Sequence, residues 1–411
     1  MSIGLNRLPQ VERSEIATTI RNAGVSGAGG AGFPTYAKWE RLGEVDYLLV
    51  NQQESEPNYY MDRWLAREHA DELASFFDAL LESVLDVIVI GAKQKDRDRW
   101  LTDLEAATGG EVYTPDELPL DPDEESGVVF AYTEDRYEYG MESVILRLVA
   151  DVVMGKDLPM DHGWIVQNTE TLYNIYRAIE HGETVTHKHL HVGGDVPRHR
   201  FLSAPIGTPA TALLKAAGLS PPETGEDQRL LDGGPGWCFE IEVPPEQFGL
   251  RKRTNCLLVA DEAVAEKNIR GEERVDIREP YDWDADHETE PTATLSPTYV
   301  RIPLITNPAF EGVVERSRPI VEPGDRVDQG EMIATPAGND IGNTHHASVP
   351  GKVTHVTETH IQIQSEHPQR ESTETDQLIY WTWCIECGTY VVMPDVSGDV
   401  TPKNYVCGDC R

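Results

Sequence analysis

The sequence predicts an α/β domain at the N-terminus, then two small β modules and a cysteine-bearing tail. Three observations carry this. Helical and strand-like apolar patterns alternate as far as about residue 182. From Thr184 they give way to short strands punctuated by Gly and Pro, and two C-x-x-C pairs close the chain. At 411 residues it is too long for one ordinary core, so two to four domains are expected.

Residues 10–23 read as a helix, with Val11, Ile16 and Ile20 on one face and a stop toward Gly24. The glycine-rich stretch GVSGAGGAGFPTYAKW follows, with a short helix through Lys38. DYLLVN then reads as a buried strand ending at Asn51. A long helical pattern runs from about Asp62 to Val84, followed by a strand at VIVIGA, a helix at DRDRWLTDLEAAT and a strand at VVFAYT. The helix MESVILRLVADVVM, the strand WIVQN and the helix ETLYNIYRAIEHG complete the first domain, residues 1–183. TVTHKHLHVGG alternates as a strand should, PIGTPATALLKAAG adds a small helix, and LLDGGPGW makes a Gly/Pro corner. Together they suggest a β-grasp-sized module over 184–240. Residues 241–297, with the acidic, turn-rich DIREPYDWDADHETEPTATLSP, read as a connector. Short strands broken by PG and GD turns over 298–367 suggest a small β-barrel, and 378–411 carries the cysteine pairs.

Composition narrows the function classes. With 71 acidic against 35 basic residues the net charge is −36. Such a surface stays hydrated at high ionic strength, so a salt-adapted cytoplasm is the preferred reading over an acidic mesophile. Generic nucleic-acid binding, which needs a basic face, is disfavoured. The most apolar run, LLESVLDVIVIGA, carries Glu82 and Asp86 and cannot span a bilayer. The N-terminus lacks an apolar signal core, which gives a cytoplasmic expectation.

GAGGAG literally satisfies G-x-G-x-x-G, but a Rossmann turn needs a strand before it and a helix opening at the last glycine. Here a helix precedes and Phe33-Pro34 follows, so that reading is rejected. Glycines without Cβ atoms can still turn successive N–H groups toward a phosphate, with Lys38 adding charge; a ligand-free turn is the alternative. After Asn51, Glu54 and Glu56 flank Ser55 at a strand end, suited to sugar hydroxyls or forming an ordinary acidic loop.

GAGGAGFPTYAKW and VNQQESEPNYYMDR together resemble the flavin-binding signature of the NADH-oxidising flavoprotein subunit of respiratory complex I. They are also similar to the RnfC component of the Rnf electron-transport complex. The likeness continues through YGMESVIL, MGKDLP, GWIVQNTETLYNIYRAI, PIGTP, LDGGPG and RTNCLL, and strands 299–364 resemble the Rnf barrel-sandwich module. PIGTP and LDGGPG would mark a soluble-ligand-binding β-grasp. The resemblance implies FMN, with Gly27, Gly29, Gly30 and Lys38 on phosphate or ribityl. It places Asn51, Glu54 and Ser55 on the flavin, Gly140 and Glu142 at one side, and Asn168, Thr169 and Thr171 at the phosphate end. Phe33 and Glu56 match positions that meet the nicotinamide nucleotide, from which hydride would pass to the flavin. There are departures: Ala28, Gln53 and Met141 stand where the complex I signature has Arg, Asp and Glu. The adenine clamp has no counterpart unless Lys156 substitutes. The iron–sulfur four-cysteine runs are missing, and Cys238 and Cys256 read as buried thiols.

The barrel also resembles lipoyl and biotinyl carriers, but no lysine lies between Arg326 and Lys352, so it reads as structural or partner-binding. His345-His346 point to opposite faces and do not chelate one ion, while His187, His189 and His191 share a strand face and read as solvated. Cys384, Cys387, Cys407 and Cys410 form two knuckles whose spacing suits a zinc ribbon, with a rubredoxin-like iron site as the alternative. The expected function is an FMN-dependent NAD(P)H dehydrogenase- or diaphorase-like electron-transfer protein. It would serve an acceptor protein or other subunits of a redox complex, peripheral to the membrane. The alternatives are a non-catalytic scaffold with a decayed flavin site, or a cobalamin-reductase-like enzyme.

Overall fold

The computed structural model describes residues 2–219, 227–283, 287–338 and 340–366, with the backbone of strands at 380–383 and 390–393. The first unit contains α1 (Arg13–Ala23), α2 (Thr35–Trp39), β1 (Tyr47–Gln52), α3 (Met61–Glu68), α4 (Ala70–Leu81) and β2 (Val87–Lys93). It continues with α5 (Thr102–Thr108), β3 (Glu111–Tyr113), β4 (Gly127–Thr133), α6 (Glu142–Ala150), β5 (Trp164–Asn168) and α7 (Thr169–His181). The five strands form a wholly parallel sheet in the order β3-β4-β2-β1-β5. Its strands are near-continuous apolar runs because helices cover both faces. Leu48 and Val50 face Ile16, Phe76 and Ile175, while Leu49 faces Ile145, Leu146 and Trp164. The C-terminal ends of β1 and β5 lie side by side, Asn51 opposite Asn168.

Three local patterns resolve differently from the sequence reading. The expected helix from Asp62 to Val84 is two helices broken at His69 (φ −116°, ψ 33°), whose ring stacks on Tyr173 at 4.3 Å and meets Glu72. DRDRWLTDLEAAT opens with a wide π turn at Arg97–Leu101 before α5, and Arg97 ion-pairs with Glu105 at 2.8 Å. The three-residue edge strand β3 is too short and polar to signal itself.

The second sheet corrects the connector. β6 (His187–Gly194), β7 (Arg200–Pro205), β8 (Gln228–Gly234), β9 (Trp237–Glu240), β10 (Cys256–Asp261) and β11 (Ala293–Thr294) form it in the order β11-β7-β6-β10-β8-β9. α8 (Ala210–Ala216) contributes Leu213 and Leu214 to its core, and α9 (Glu262–Lys267) follows β10. Residues 241–297 therefore supply a central strand, β10, parallel to β6 and antiparallel to β8. The acidic stretch is anchored by buried Ile277 and Trp283, which pack with Val275, Cys238 and Cys256. Both thiols are free and buried, and burial pushes them far above the ordinary thiol range.

The three β6 histidines do not form a solvated face. His191 is buried, accepts the Tyr60 N–H at 3.2 Å and stacks on Phe201 at 4.4 Å. Burial holds His191 well below its usual range and His187 at about 4. The N-terminal unit covers this side of the strand through Tyr59, Tyr60 and Trp64.

The third unit comprises β12 (Tyr299–Pro303), β13 (Arg318–Pro319), β14 (Arg326–Val327), β15 (Met332–Thr335), β16 (His345–His346), β17 (Gly351–Val356) and β18 (His360–Ser365). Two sheets, β12-β18-β17-β14 and β13-β15-β16, close around Val300, Ile302, Ile333, Val353, Ile361 and Ile363. Beyond them β19 (Tyr380–Trp383) and β20 (Tyr390–Met393) pair antiparallel. The four tail cysteines lie outside the described residues. Among the described residues no helix is long and apolar enough to cross a membrane, and no cluster of three or more metal-ligating side chains occurs.

Buried Lys252 locks the units together, donating to the Gly24 carbonyl at 2.5 Å and the Thr344 carbonyl at 2.8 Å. Burial lowers its ammonium to about 7. A lowered base favours folding above its unfolded value and loses that contribution as pH falls through the folded value. Between pH 7 and 8.5 this lysine is expected to make stability rise with pH, by up to about 1.4 kcal/mol per unit. Urea unfolding of Lys252→Met across that range tests this; the variant is expected to show a flatter profile, and an unchanged slope would exclude Lys252 as its source.

Candidate functional site

The glycine loop leaves α1 at Gly24, whose left-handed φ of 70° ends the helix. Its base is closed by two hydrogen bonds, Gly27 N–H to the Phe33 carbonyl at 2.8 Å and Gly32 N–H to the Gly27 carbonyl at 2.9 Å. The Ala28 N–H donates to Thr171 Oγ1 at 3.0 Å, which ties the loop to the first turn of α7. At the tip, the N–H groups of Gly29, Gly30 and Ala31 have no partner among the described residues. Gly30 has φ +104°, and a Cβ there would meet nothing within 4 Å. A Cβ on Gly29 would fall 2.2 Å from Asn168 Oδ1. The tip is thus a bare run of backbone donors at the carboxyl ends of parallel strands, where α/β sheets bind ligands.

The tip opens into a cavity of about 990 Å³. Asn51 lines it from the end of β1, Glu54, Ser55 and Glu56 from the loop that follows, Gly140 and Met141 from just before α6, and Asn168 from the end of β5. Asn51 Nδ2 donates to the Gly140 carbonyl at 2.9 Å, and a Cβ on Gly140 would press to 2.7 Å from Ser55 Oγ. That hydroxyl is buried and has no partner among the described residues. Gly29, Gly30, Asn51, Glu54, Ser55, Glu56, Gly140 and Asn168 therefore share one cavity.

Other predicted residues stand behind it. Lys38 does not line the cavity; its ammonium donates to Glu142 Oε1 at 3.1 Å and to the Val166 carbonyl at 3.2 Å. Glu142 is thereby turned to Lys38. Thr169 bonds Gln52, Thr171 props the loop, and Gly27 forms its base. Phe33 packs edge-on against Phe310 at 5.9 Å. Lys156 lies in an exposed turn and does not line the cavity.

The carboxylates have structural partners. Glu54 accepts the N–H groups of Asp62 at 2.8 Å and Arg63 at 3.0 Å, capping α3. Asp62 accepts the Glu170 N–H at 2.7 Å, capping α7 in turn. Burial raises both carboxyls, Asp62 the further because Glu54 adds like charge. Glu56 is also raised by burial, and it accepts from the Tyr137 hydroxyl and the Gly236 N–H, both at 2.7 Å. Glu54, Ser55, Glu56 and Tyr137 also form the wall shared with a second cleft of about 700 Å³.

Sequence reasoning missed part of the wall. Asp62, inside the quoted NYYMDR, lines the cavity beside Asn168. The second sheet adds Asp232 and Gly233 from LDGGPG, and Arg251 and Arg253 from the loop before β10. Asp232 holds both arginines, at 3.0 and 2.8 Å. Among the described residues lining the cavity, these two arginines supply the positive charge expected of Lys38. Asn307 to Phe310 of the barrel complete the enclosure.

Comparison with known proteins fits this assembly. Residues 20–177 match the Nuo51 FMN-binding domain, and 294–375 match the RnfC barrel sandwich hybrid domain. The C component of the ion-translocating oxidoreductase complex of Pseudomonas aeruginosa is 32% identical over 246 residues, 59% of this chain and 29% of that protein. The cobalamin reductase PduS of Salmonella typhimurium is 32% identical over 265 residues, 63% of this chain and 53% of that protein. The chain thus spans under a third of the one relative's length and about half of the other's. A solved NAD+-reducing [NiFe]-hydrogenase matches at TM-score 0.49 and 21% identity, covering 62% of this chain and 47% of that one, too loosely to carry an argument. With an FMN-binding domain and an RnfC barrel domain both matched on one chain, the protein belongs to the family of RnfC and the complex I flavoprotein.

Proposed function

We propose that the protein binds FMN in the 990 Å³ cavity and works as an electron-transfer module of a larger redox assembly. The observation that carries this is the bare tip: three N–H groups without a partner among the described residues, on a loop that lines a cavity holding a buried Ser55 hydroxyl likewise without one. That donor set fits a flavin phosphate and its ribityl chain: anions take backbone N–H groups and polyols take hydroxyl, amide and carboxylate partners. Gly29, Gly30 and Ala31 would hold the phosphate, with Arg253 the nearest cavity-lining cation from the second sheet. Asn51, Ser55 and Asn168 would orient the ring system and its chain. Bound FMN supplies one- and two-electron exchange, and the protein supplies orientation and exclusion of water. Met141, 43% exposed, gives the cavity mouth an apolar edge where the complex I signature has a carboxylate.

NAD(P)H as donor follows from the resemblance to the complex I flavoprotein. A partner subunit or protein as acceptor follows from the relatives' place in an oxidoreductase complex, and both belong to this proposal. A cobalamin-reductase-like role is the second reading, favoured by the larger share of that relative's length that the chain spans. The spacing of Cys384, Cys387, Cys407 and Cys410 supports a bound metal in the tail, zinc in our reading.

The test is a visible spectrum and an FMN titration of the purified chain in molar salt. Flavin bands near one equivalent per chain are expected, as is NADH-to-dye activity. A colourless protein that leaves FMN fluorescence unquenched would sink the flavin reading.

A further inference from the structure

The barrel reaches across the molecule to grip the glycine loop from outside. Thr306 Oγ1 donates to the Gly32 carbonyl at 2.6 Å and Asn307 Nδ2 to the Ala31 carbonyl at 2.8 Å, across a sequence separation of 274 residues in the first case. Thr306 is buried, and its hydroxyl also accepts from Asn343 Nδ2 at 2.6 Å, so its one hydrogen is committed to Gly32. A Cβ on Gly32 would come within 3.2 Å of Asn307 Cβ, so the Asn307 side chain lies close over the Gly32 backbone. Phe310 adds its edge to Phe33.

These contacts matter for the loop because a peptide unit is planar and trans. With the Ala31 carbonyl turned to Asn307, the Gly32 N–H of the same unit points the opposite way, to the Gly27 carbonyl at 2.9 Å. With the Gly32 carbonyl turned to Thr306, the second unit is fixed as well. Two consecutive peptide planes are locked immediately after the bare tip, which leaves the N–H groups of Gly29, Gly30 and Ala31 fewer orientations to lose on binding an anion.

We propose that Thr306 and Asn307 are positioning residues for the phosphate of the flavin, so that phosphate recognition belongs jointly to the N-terminal unit and the barrel. The proposal rests on the FMN reading above. It specifies which half of the ligand feels the barrel: the phosphate does, and the ring system, held by Asn51 and Ser55, does not.

The experiment compares FMN with riboflavin, which lacks the phosphate, by fluorescence quenching on the full chain. Thr306→Val and Asn307→Ala are each expected to weaken FMN about tenfold, the loss of one hydrogen bond's worth of order, with riboflavin affinity within twofold of wild type. Thr306→Ser retains the donor and is expected to restore FMN binding, which separates positioning from a fold defect. Equal weakening of FMN and riboflavin, or FMN affinity unchanged in both variants, would overturn the proposal. Wild-type protein that binds riboflavin but gains nothing from the phosphate overturns it too, while leaving a flavin site in place. Wild-type protein that binds neither ligand instead removes the flavin reading and this inference with it.

Discussion

Gly29→Ala is expected to lower FMN affinity about a hundredfold while the urea midpoint stays close to wild type. A methyl group at this position would sit 2.2 Å from Asn168 Oδ1 and 2.4 Å from its Cγ, far inside contact distance. Asn168 cannot easily give way. It ends β5, is registered against Asn51, and its Nδ2 donates to the Asn51 carbonyl at 3.2 Å. The loop tip must therefore move, and with it the three N–H groups of Gly29, Gly30 and Ala31. Hydrogen bonds to a charged group contribute about 1.5–3 kcal/mol each, so misaligning one or two costs roughly 3 kcal/mol, or about a hundredfold. The core is untouched because Gly29 is exposed. Gly29→Ala/Asn168→Ala relieves the clash and is expected to bind FMN more tightly than Gly29→Ala alone. A single variant that binds within threefold of wild type would move the phosphate away from this loop.

The parts of this fold that are legible in the sequence share one property: their signal is local. β1, β2, β4 and β5 are apolar runs between turn residues, since a parallel strand buried on both faces has little choice of residue. Asn51, Ser55 and Asn168 are legible because they stand at or just past the ends of such strands, and the glycine loop because its own composition marks it. The place of β10 is not: CLLVA is an apolar run too, but its pairing with β6 and β8 is made across many residues, and nothing local marks it as a central strand. His191 reads as solvated because alternation shows which residues share a face but not what covers it.

The site divides the same way. Lys38 follows the glycine loop closely in sequence, yet α2 is a helix of five residues whose Tyr36 and Trp39 claim the core. Their placement sends Lys38 to Glu142 and the end of β5, away from the cavity. The charge expected of it comes from Arg251 and Arg253, in a part of the chain that local reading treats as connector. Thr306 and Asn307 are invisible for the same reason: nothing in TNPAF marks it as the outer clamp of a loop near the N-terminus.

Glu54→Ala is expected to destabilise the protein by about 3 kcal/mol, measured by urea unfolding, whether or not FMN is present. Glu54 is buried, and its two oxygens receive the first N–H groups of α3, at Asp62 and Arg63. Truncation leaves both donors without the carboxylate that caps them. It also removes the closest carboxylate but one from Arg63, whose guanidinium then relies on Asp96 at 3.1 Å and the Tyr59 carbonyl. Asp62 would follow, because it leads α3 and its own carboxylate caps α7 at Glu170. Glu54→Gln keeps one acceptor oxygen, so a loss nearer about 1 kcal/mol is expected. The pH dependence distinguishes the two effects. Burial raises the Glu54 carboxyl, so its proton-linked contribution is present below the ordinary carboxylate range and is lost as pH rises through the raised value. Wild type should therefore gain on Glu54→Gln as pH is lowered through that window. A Glu54→Ala variant within about 0.5 kcal/mol of wild type would refute the capping role. Loss of FMN by Glu54→Gln at unchanged stability would instead assign the carboxylate to the ligand. In either case the helix cap and the flavin contact, which the sequence cannot separate, are distinguished by one oxygen atom.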